Sequence, residues 1–286
     1  MRRIAVTHTR DSFCKCCLRM LQRIEHDHLL IIIEAVRLAV PVSKMTVHIT
    51  HSRDIGGYKS QDGRQVRYGC FYRSAPITFS SDSDRQEFQK LGIKNILDLR
   101  SDIEAQKCPD ETIDGCHYIH CSAIALDTPY QGNFDMEDLI RSGALSNLKY
   151  YILEIYKNLP FKNEAYQKIF DLMLHDGTPF VFHCTAGKDR TGFAAYLILK
   201  TLGVQDDCIL EDYMLSNVYR SEENQAFTRQ IPNIPGLEEL LCVKEEYLKT
   251  SIQAIEEQYG DFETYVKEEY GIGKNEIAIL RERYLY

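Results

Sequence analysis

Along most of the chain, hydrophobic and polar positions repeat either with the two-residue period of a strand or with the 3.6-residue period of a helix. Short apolar runs predict strands at 45–50, 93–101 and 178–183. The segment 53–74 predicts a hairpin, because the turn residues SQDG lie between two strand-like stretches. Helical spacing predicts helices at 81–91, 133–143, 146–158, 162–175 and 191–203, followed by successive helices to the end of the chain. Strands that alternate with helices predict an α/β fold with a mainly parallel sheet.

The first 45 residues differ from the rest of the chain. They contain CKCC at 14–17, three histidines and more basic than acidic residues. Zinc binding and acylation of these cysteines are two interpretations, but no second cysteine pair follows, and a loosely docked extension is favoured. We therefore expect an N-terminal extension of unknown role at 1–45 and a folded unit at 46–286. Within that unit we expect a lid-like segment at 127–150 and a C-terminal helical part at 205–286.

Composition narrows the functional classes. The chain has 286 residues, 44% hydrophobic and 27% charged residues, and a formal charge of −8, which argues against a nucleic-acid-binding domain. Ten cysteines scattered along so long a chain indicate reduced thiols rather than a disulfide framework. The apolar run 29–40 is too short to span a bilayer and contains Glu34 and Arg37. We expect a cytoplasmic protein, with export by a route without a recognisable signal left open.

The stretch VFHCTAGKDRTG, residues 181–192, joins a predicted strand to a predicted helix. The unpaired N–H groups at a helix start bind phosphate, and Gly187 lets the backbone fold closely around it. Arg190 follows Cys184 by six positions and can hold two phosphate oxygens. The same field lowers the pKa of Cys184 and favours the thiolate. The pattern predicts nucleophilic attack on phosphorus through a phosphocysteine intermediate that water hydrolyses.

Several neighbours of the nucleophile are candidate substrate-binding residues. They are Thr185, Ala186, Gly187, Lys188 and Thr191. Lys188 either directs its ammonium toward other charges of the substrate or is a solvated surface lysine. Thr191 either donates its hydroxyl to the sulfur or is a plain helix N-cap. His183 is expected to support the loop. A nucleotide P-loop is excluded because Asp189, and not Ser or Thr, follows the Gly-Lys pair.

The loop resembles the signature of the cysteine-dependent tyrosine phosphatase superfamily, and HCxAGKDRTG resembles its atypical bacterial tyrosine/serine/lipid phosphatase branch. Three further blocks resemble that branch: RDIGGYKSQDGRQVRYGCFYRS, ILDLRSDIE and EYLKTSIQAIEEQYGDFETYVKEEYGI. The resemblance covers about residues 46–286. It implies a central, mostly parallel sheet flanked by helices, activity without a metal or other cofactor, and substrates among phosphotyrosine, phosphoserine, phosphothreonine and phosphoinositides.

The general acid is less clear than the nucleophile. The chain has no tryptophan, so the usual Trp-Pro-Asp loop is absent. The resemblance suggests Asp189 as the acid, with a loop-holding role as the alternative. Asp98, at the end of a predicted strand, is the second candidate, although an ion pair with Arg100 or Arg53 is favoured for it. Asp127 on the lid-like segment is the third.

These observations predict a phosphomonoester hydrolase, most simply a protein-tyrosine phosphatase with broad specificity acting on phosphotyrosine proteins or peptides. A phosphoinositide phosphatase is the alternative. Lys188 favours it, because a lysine there resembles lipid phosphatases. Thr185 opposes it, because the best-known lipid phosphatases have a second lysine at that position. A silent phosphate-binding module and a sulfur-transfer enzyme are less consistent with the complete loop. The oligomeric state stays open.

Overall fold

The computed structural model describes residues 52–79, 81–123, 148–229 and 237–286. The predicted strand at 45–50, the predicted helix at 133–143 and the extension at 1–45 lie outside the described residues. So do most of the lid-like segment and Asp127, the third candidate acid. None of the described helices combines the length and the apolar character needed to cross a bilayer.

A five-stranded sheet forms the centre of the described structure. Its strands are β1 (Arg53–Asp54), β2 (Phe71–Ser74), β3 (Asn95–Asp98), β4 (His117–His120) and β5 (Phe180–His183). Their order across the sheet is β1-β2-β5-β3-β4, and only the β1–β2 pair is antiparallel. The predicted, mainly parallel α/β sheet is therefore confirmed.

The central strand β5 brings the carboxyl ends of three strands together. Its four residues FVFH are all buried, as expected for a strand covered on both faces. In the sheet register, His183 lies beside Ser74 of β2 on one side and Asp98 of β3 on the other. Ligands of open α/β sheets bind beyond this edge, so the loop after β5 starts at the expected place.

Helices surround the sheet. Those in the described residues are α1 (Asp82–Lys90), α2 (Asp102–Lys107), α3 (Leu148–Asn158), α4 (Glu164–Leu174), α5 (Arg190–Thr201), α6 (Asp206–Tyr219), α7 (Ser221–Thr228), α8 (Leu237–Leu241), α9 (Glu245–Tyr259), α10 (Phe262–Tyr270) and α11 (Lys274–Tyr284). Helix α1 begins as its pattern predicts, because the Ser81 side chain accepts a hydrogen bond from the Asp84 N–H.

The structure shortens some predicted elements and adds others. Of the strand expected at 93–101, only β3 is formed. The predicted hairpin is formed by the pairing of β1 with β2 and by an isolated bridge between Lys59 and Gln65. Strand β4 was not predicted, because its HYIH residues lie at the sheet edge, mostly exposed, and lack an apolar alternation. Helix α2 was also missed, although Ser101 and Glu104 form a capping box that marks its start.

The C-terminal helices fix the position of α3, which faces the site. Ser251 of α9 donates a 2.5 Å hydrogen bond to the carbonyl oxygen of Tyr156 on α3. The buried hydroxyls of Tyr265 and Tyr270 both donate to the carbonyl oxygen of Pro160, at 2.7 and 2.9 Å. These bonds hold the chain that follows α3 against α10, so α3 has a defined place beside the loop after β5.

Candidate active site

The loop after β5 turns sharply into helix α5. The helix begins at Arg190, and Asp189 occupies the N-cap position without a side-chain capping bond. Gly187 has φ of 65°, and a Cβ at that position would lie 2.5 Å from the carbonyl oxygen of Ser74. Only glycine fits there, because any side chain would meet the backbone of β2 as well as the unfavourable φ.

The Cys184 thiol lies at the carboxyl end of β5 and is 1% exposed. Burial alone would raise its pKa, but the positive charge of Arg190 and hydrogen bonding from Thr191 outweigh burial, so the pKa of Cys184 lies below its usual value. The Thr191 hydroxyl is buried and has no well-formed hydrogen bond in the described residues. The arrangement favours a thiolate at the positive end of α5.

Thr191 lies inside the first turn of α5, so the N-cap interpretation of this residue is wrong. Its buried hydroxyl beside the sulfur matches the other interpretation, donation to the thiolate. The carbonyl oxygens of Ala186 and Gly187 accept hydrogen bonds from Arg220 and Arg73 respectively, so this part of the loop is held from behind.

Arg190 is oriented by Glu104, a residue that the sequence did not single out as functional. The two terminal nitrogens of Arg190 donate to the two carboxylate oxygens of Glu104, each at 2.7 Å. Glu104 also accepts a 2.5 Å hydrogen bond from the Thr185 hydroxyl. Burial alone would raise the pKa of Glu104, but Arg190 outweighs it and the pKa falls to about 2. The capping box with Ser101, and the place of Glu104 at the end of the block ILDLRSDIE, are two local signals that could have located this residue.

Asp189 is buried and makes two strong side-chain contacts. The Tyr156 hydroxyl donates to its Oδ1 at 2.5 Å, and the ammonium of Lys188 lies 2.6 Å from its Oδ2. The Tyr156 hydroxyl lies 2.7 Å from the Tyr213 hydroxyl, so Asp189, Tyr156 and Tyr213 form a buried hydrogen-bonded series. Lys188 is 4% exposed, so it is not the solvated surface lysine considered above.

Asp98, the second candidate acid, lies in a buried network of charges. Arg100 donates to both of its carboxylate oxygens, at 2.8 and 2.7 Å, and the Tyr118 hydroxyl donates at 2.6 Å. Burial would raise the pKa of Asp98, but the charges of His183 and Arg100 hold it well below its usual value. Arg100 also contacts Asp110, 2.8 Å away, and Asp110 lies 3.1 Å from His183 Nε2. The favoured pairing of Asp98 with Arg100 is what the structure shows.

The network has the residue types of a metal site but already contains its own cation. Ligand atoms of Asp98, Asp110 and His183 all lie within 4.8 Å of one another. The Arg100 guanidinium bonds both carboxylates. Burial would lower the pKa of His183, but Asp110 and Asp98 outweigh it and raise it. Two carboxylates that face Arg100 and His183 form a buried polar cluster that supports the end of β5.

A comparison with known families decides the classification of this site. Residues 48–286 match the profile described as "Tyrosine phosphatase family". The chain belongs to the tyrosine phosphatase family. The expected enzyme class, a protein-tyrosine phosphatase, is therefore confirmed.

Individual relatives agree with this assignment. A Cupriavidus necator protein, H16_A0669, provisionally named a tyrosine-protein phosphatase, is 33% identical over 83% of this chain and 86% of its own length. The "Triple specificity protein phosphatase PtpB" of Mycobacterium tuberculosis is 27% identical over 71% of this chain and 86% of its own length. Among solved structures, P. aeruginosa TpbA, crystallised with pTyr, shows 15% identity over 62% of this chain and 89% of its own, with a TM-score of 0.29, too low to support an argument.

Proposed function

We propose that this tyrosine phosphatase works through a phosphocysteine intermediate on Cys184 and accepts phosphoserine and phosphothreonine as well as phosphotyrosine. The observation that carries the proposal is the buried thiol of lowered pKa, placed at the start of α5 beside Arg190. Thiolate, helix N-terminus and guanidinium are the groups that attack on phosphorus requires.

In the first step, the Cys184 thiolate attacks phosphorus and the bond from phosphorus to the ester oxygen breaks. The leaving oxygen takes a proton from Asp189, while Arg190 binds equatorial oxygens of the phosphoryl group. In the second step, a water molecule attacks the phosphocysteine and gives a proton back to Asp189. The S–P bond then breaks, which releases inorganic phosphate and restores the thiolate, stabilised by the Thr191 hydroxyl.

Asp189 is a better candidate acid than Asp98. Both oxygens of Asp98 are engaged by Arg100, with which it forms a buried pair. Asp189 lies between the loop and α5, and one of its two principal partners is Lys188, which belongs to the same loop. If the negative charge of a substrate attracts Lys188, Oδ2 of Asp189 becomes available to carry the transferable proton.

Protein substrates fit the described site better than phosphoinositides. At position 185, where the best-known lipid phosphatases have a second lysine, this chain has a threonine whose hydroxyl is bound to Glu104. The name of the M. tuberculosis relative, a triple specificity protein phosphatase, supports broad specificity here. The cytoplasmic location expected from the cysteine pattern stays a prediction.

The test is turnover by the purified chain, in EDTA, of one peptide sequence carrying phosphotyrosine, phosphoserine or phosphothreonine, and of phosphoinositide vesicles. We expect turnover of all three peptides, fastest with phosphotyrosine, and none by Cys184→Ser. Cys116→Ser is the matched control, because Cys116 is a free thiol that directly precedes the amino end of β4, whereas Cys184 follows the carboxyl end of β5. Turnover that survives in Cys184→Ser would refute the mechanism, and faster turnover of vesicles than of peptides would refute the proposed substrate range.

A further inference from the structure

Two buried arginines from outside the loop donate hydrogen bonds to consecutive loop carbonyls. Arg220 Nη1 lies 2.9 Å from the carbonyl oxygen of Ala186, and Arg73 Nη2 lies 3.0 Å from that of Gly187. Arg73 is on β2, and Arg220 is at the junction of α6 and α7. Both are almost completely buried, 0% and 3% exposed, so these bonds form away from solvent.

These bonds constrain the N–H groups of the loop. In a planar trans peptide unit, the carbonyl and the following N–H point in opposite directions. Because the carbonyls of Ala186 and Gly187 point outward to the arginines, the N–H groups of Gly187 and Lys188 are turned toward the other side of the loop. Successive N–H groups turned to one side form a concave site for an anion.

Arg73 is itself held firmly. Its Nη1 donates a 2.6 Å hydrogen bond to Asp212, and its Nη2 also donates to the Ser216 hydroxyl at 3.3 Å. Asp212 is bound in turn by Arg53 at 2.9 Å. Burial alone would raise the pKa of Asp212, but Arg73 and Arg53 outweigh it and lower that pKa. The guanidinium therefore has a charged partner that keeps it on the loop without help from a substrate.

Arg220 has less support. The carboxylate of Glu223 lies 3.5 Å from Arg220 Nη1, farther away than the carbonyl oxygen of Ala186, which is at 2.9 Å. Burial lowers the pKa of both Arg73 and Arg220, and the charge of a Cys184 thiolate acts in the opposite direction by stabilising their charged forms. By reciprocity, both arginines favour the thiolate. Neither one needs to contact the phosphate in order to affect the reaction.

We infer that Arg73 and Arg220 are positioning residues, which hold the carbonyls of Ala186 and Gly187 so that the loop N–H groups are arranged to bind an oxyanion before the substrate arrives. The inference rests on the proposed function of the loop. Preorganised donors pay no reorganisation cost when charge develops in the transition state. Loss of either arginine should therefore weaken oxyanion binding even while Arg190 is present.

The experiment uses Arg220→Met, because Arg73 also neutralises Asp212 and its loss would disturb the fold. The readout is tungstate affinity, measured as protection of Cys184 from iodoacetamide in the full chain, which requires no turnover. We expect roughly tenfold weaker tungstate binding in Arg220→Met, since donors that are misplaced lose part of their stabilisation. Arg281→Met is the matched control, because Arg281 Nε donates a 2.9 Å bond to the carbonyl oxygen of Thr201 at the far end of α5.

Two results would overturn the inference: wild-type tungstate affinity in Arg220→Met, or an equal loss in Arg281→Met. If Arg220→Met does not fold, Arg220→Lys replaces it, since lysine keeps the charge and lacks the second donor arm. We expect Arg220→Lys to bind tungstate more weakly than wild type, and unchanged affinity would contradict the inference. Wild-type protein that binds tungstate but hydrolyses no phosphopeptide would instead refute the proposed function.

Discussion

Glu104 binds the active-site arginine with both of its carboxylate oxygens, each 2.7 Å from a terminal nitrogen of Arg190. The side chain of Glu104 also accepts a 2.9 Å hydrogen bond from the Ser101 N–H, which completes the capping box of α2. One carboxylate therefore starts a short helix and orients the guanidinium that we propose binds phosphate. The geometry of Arg190 is set before substrate binds, by a residue 86 positions away in the chain.

Replacement of this carboxylate should cost both stability and activity. In Glu104→Gln the buried guanidinium of Arg190 loses its charged partner, and removal of one member of a buried pair typically costs about 3–5 kcal/mol. We expect a decrease of that order in the free energy of unfolding, measured in urea, and a fall of at least about tenfold in kcat/KM. Glu282→Gln is the control, because that side chain is 88% exposed. Equal stability of the two variants would contradict the prediction.

The ion pair between Glu104 and Arg190 should also make the stability of the fold depend on pH. The pKa of Glu104 is about 2 in the folded chain, below the value of about 4.3 for an unfolded glutamate. A depressed carboxyl pKa stabilises the fold above the unfolded value, and this stabilisation is lost as the pH falls toward the folded value. We therefore expect the stability difference between wild type and Glu104→Gln to narrow below about pH 4. Urea unfolding of both proteins at several pH values measures this difference in stability. A difference that stays constant with pH would contradict the prediction.

The Cys184 thiol should react at lower pH than an ordinary cysteine. The rate of iodoacetamide inactivation should rise with a midpoint below that of an ordinary cysteine thiol, because Arg190 and Thr191 favour the thiolate. Thr191→Val should move that midpoint upward, since a hydroxyl that lowers the pKa of Cys184 is lost. Thr201→Val is the control, because Thr201 is also a buried threonine of α5 without a well-formed hydroxyl bond in the described residues. The same upward move in both variants would contradict a specific role of Thr191.

The general acid can be identified from the dependence on the leaving group. Asp189→Asn keeps an oxygen that can accept from Tyr156 but cannot transfer a proton. We expect kcat for a phosphotyrosine peptide to fall by about 10²–10⁴-fold, and much less for an aryl phosphate whose phenol is acidic. Asp98→Asn should instead destabilise the fold, because Arg100 loses one of its two buried charged partners. An equal loss with both substrates in Asp189→Asn would exclude Asp189 as the acid.

The turn before α5 should tolerate no side chain at Gly187. A Cβ there would lie 2.5 Å from the Ser74 carbonyl oxygen, in addition to the strain of φ at 65°. Gly63 has φ of 88° but nothing within 4 Å of a Cβ, so Gly63→Ala reports the strain alone. That strain costs about 1–2 kcal/mol. We expect Gly187→Ala to lower the thermal unfolding temperature clearly more than Gly63→Ala does. We also expect Gly187→Ala to lose tungstate binding. Equal losses would show that the contact with Ser74 is unimportant.

The sequence by itself determined the elements and residues that depend on neighbours in the chain. Cys184, Gly187 and Arg190 could be found because a strand, a tight turn and a helix start follow one another directly, and each has a local signature. The mainly parallel sheet followed from the alternation of strands and helices. Strand β4 escaped detection because an edge strand with exposed residues has no apolar pattern.

Only the tertiary structure decided which distant residues serve the loop. Glu104, Arg73 and Arg220 reach it from α2, β2 and the end of α6, and no periodicity in the sequence relates them to Cys184. The structure also placed Lys188 against Asp189, where the sequence left it between substrate and solvent. A buried charge must have a partner, but which partner it has depends on the packing of separate segments. Local patterns set where the chain turns, and burial decides which charges meet there.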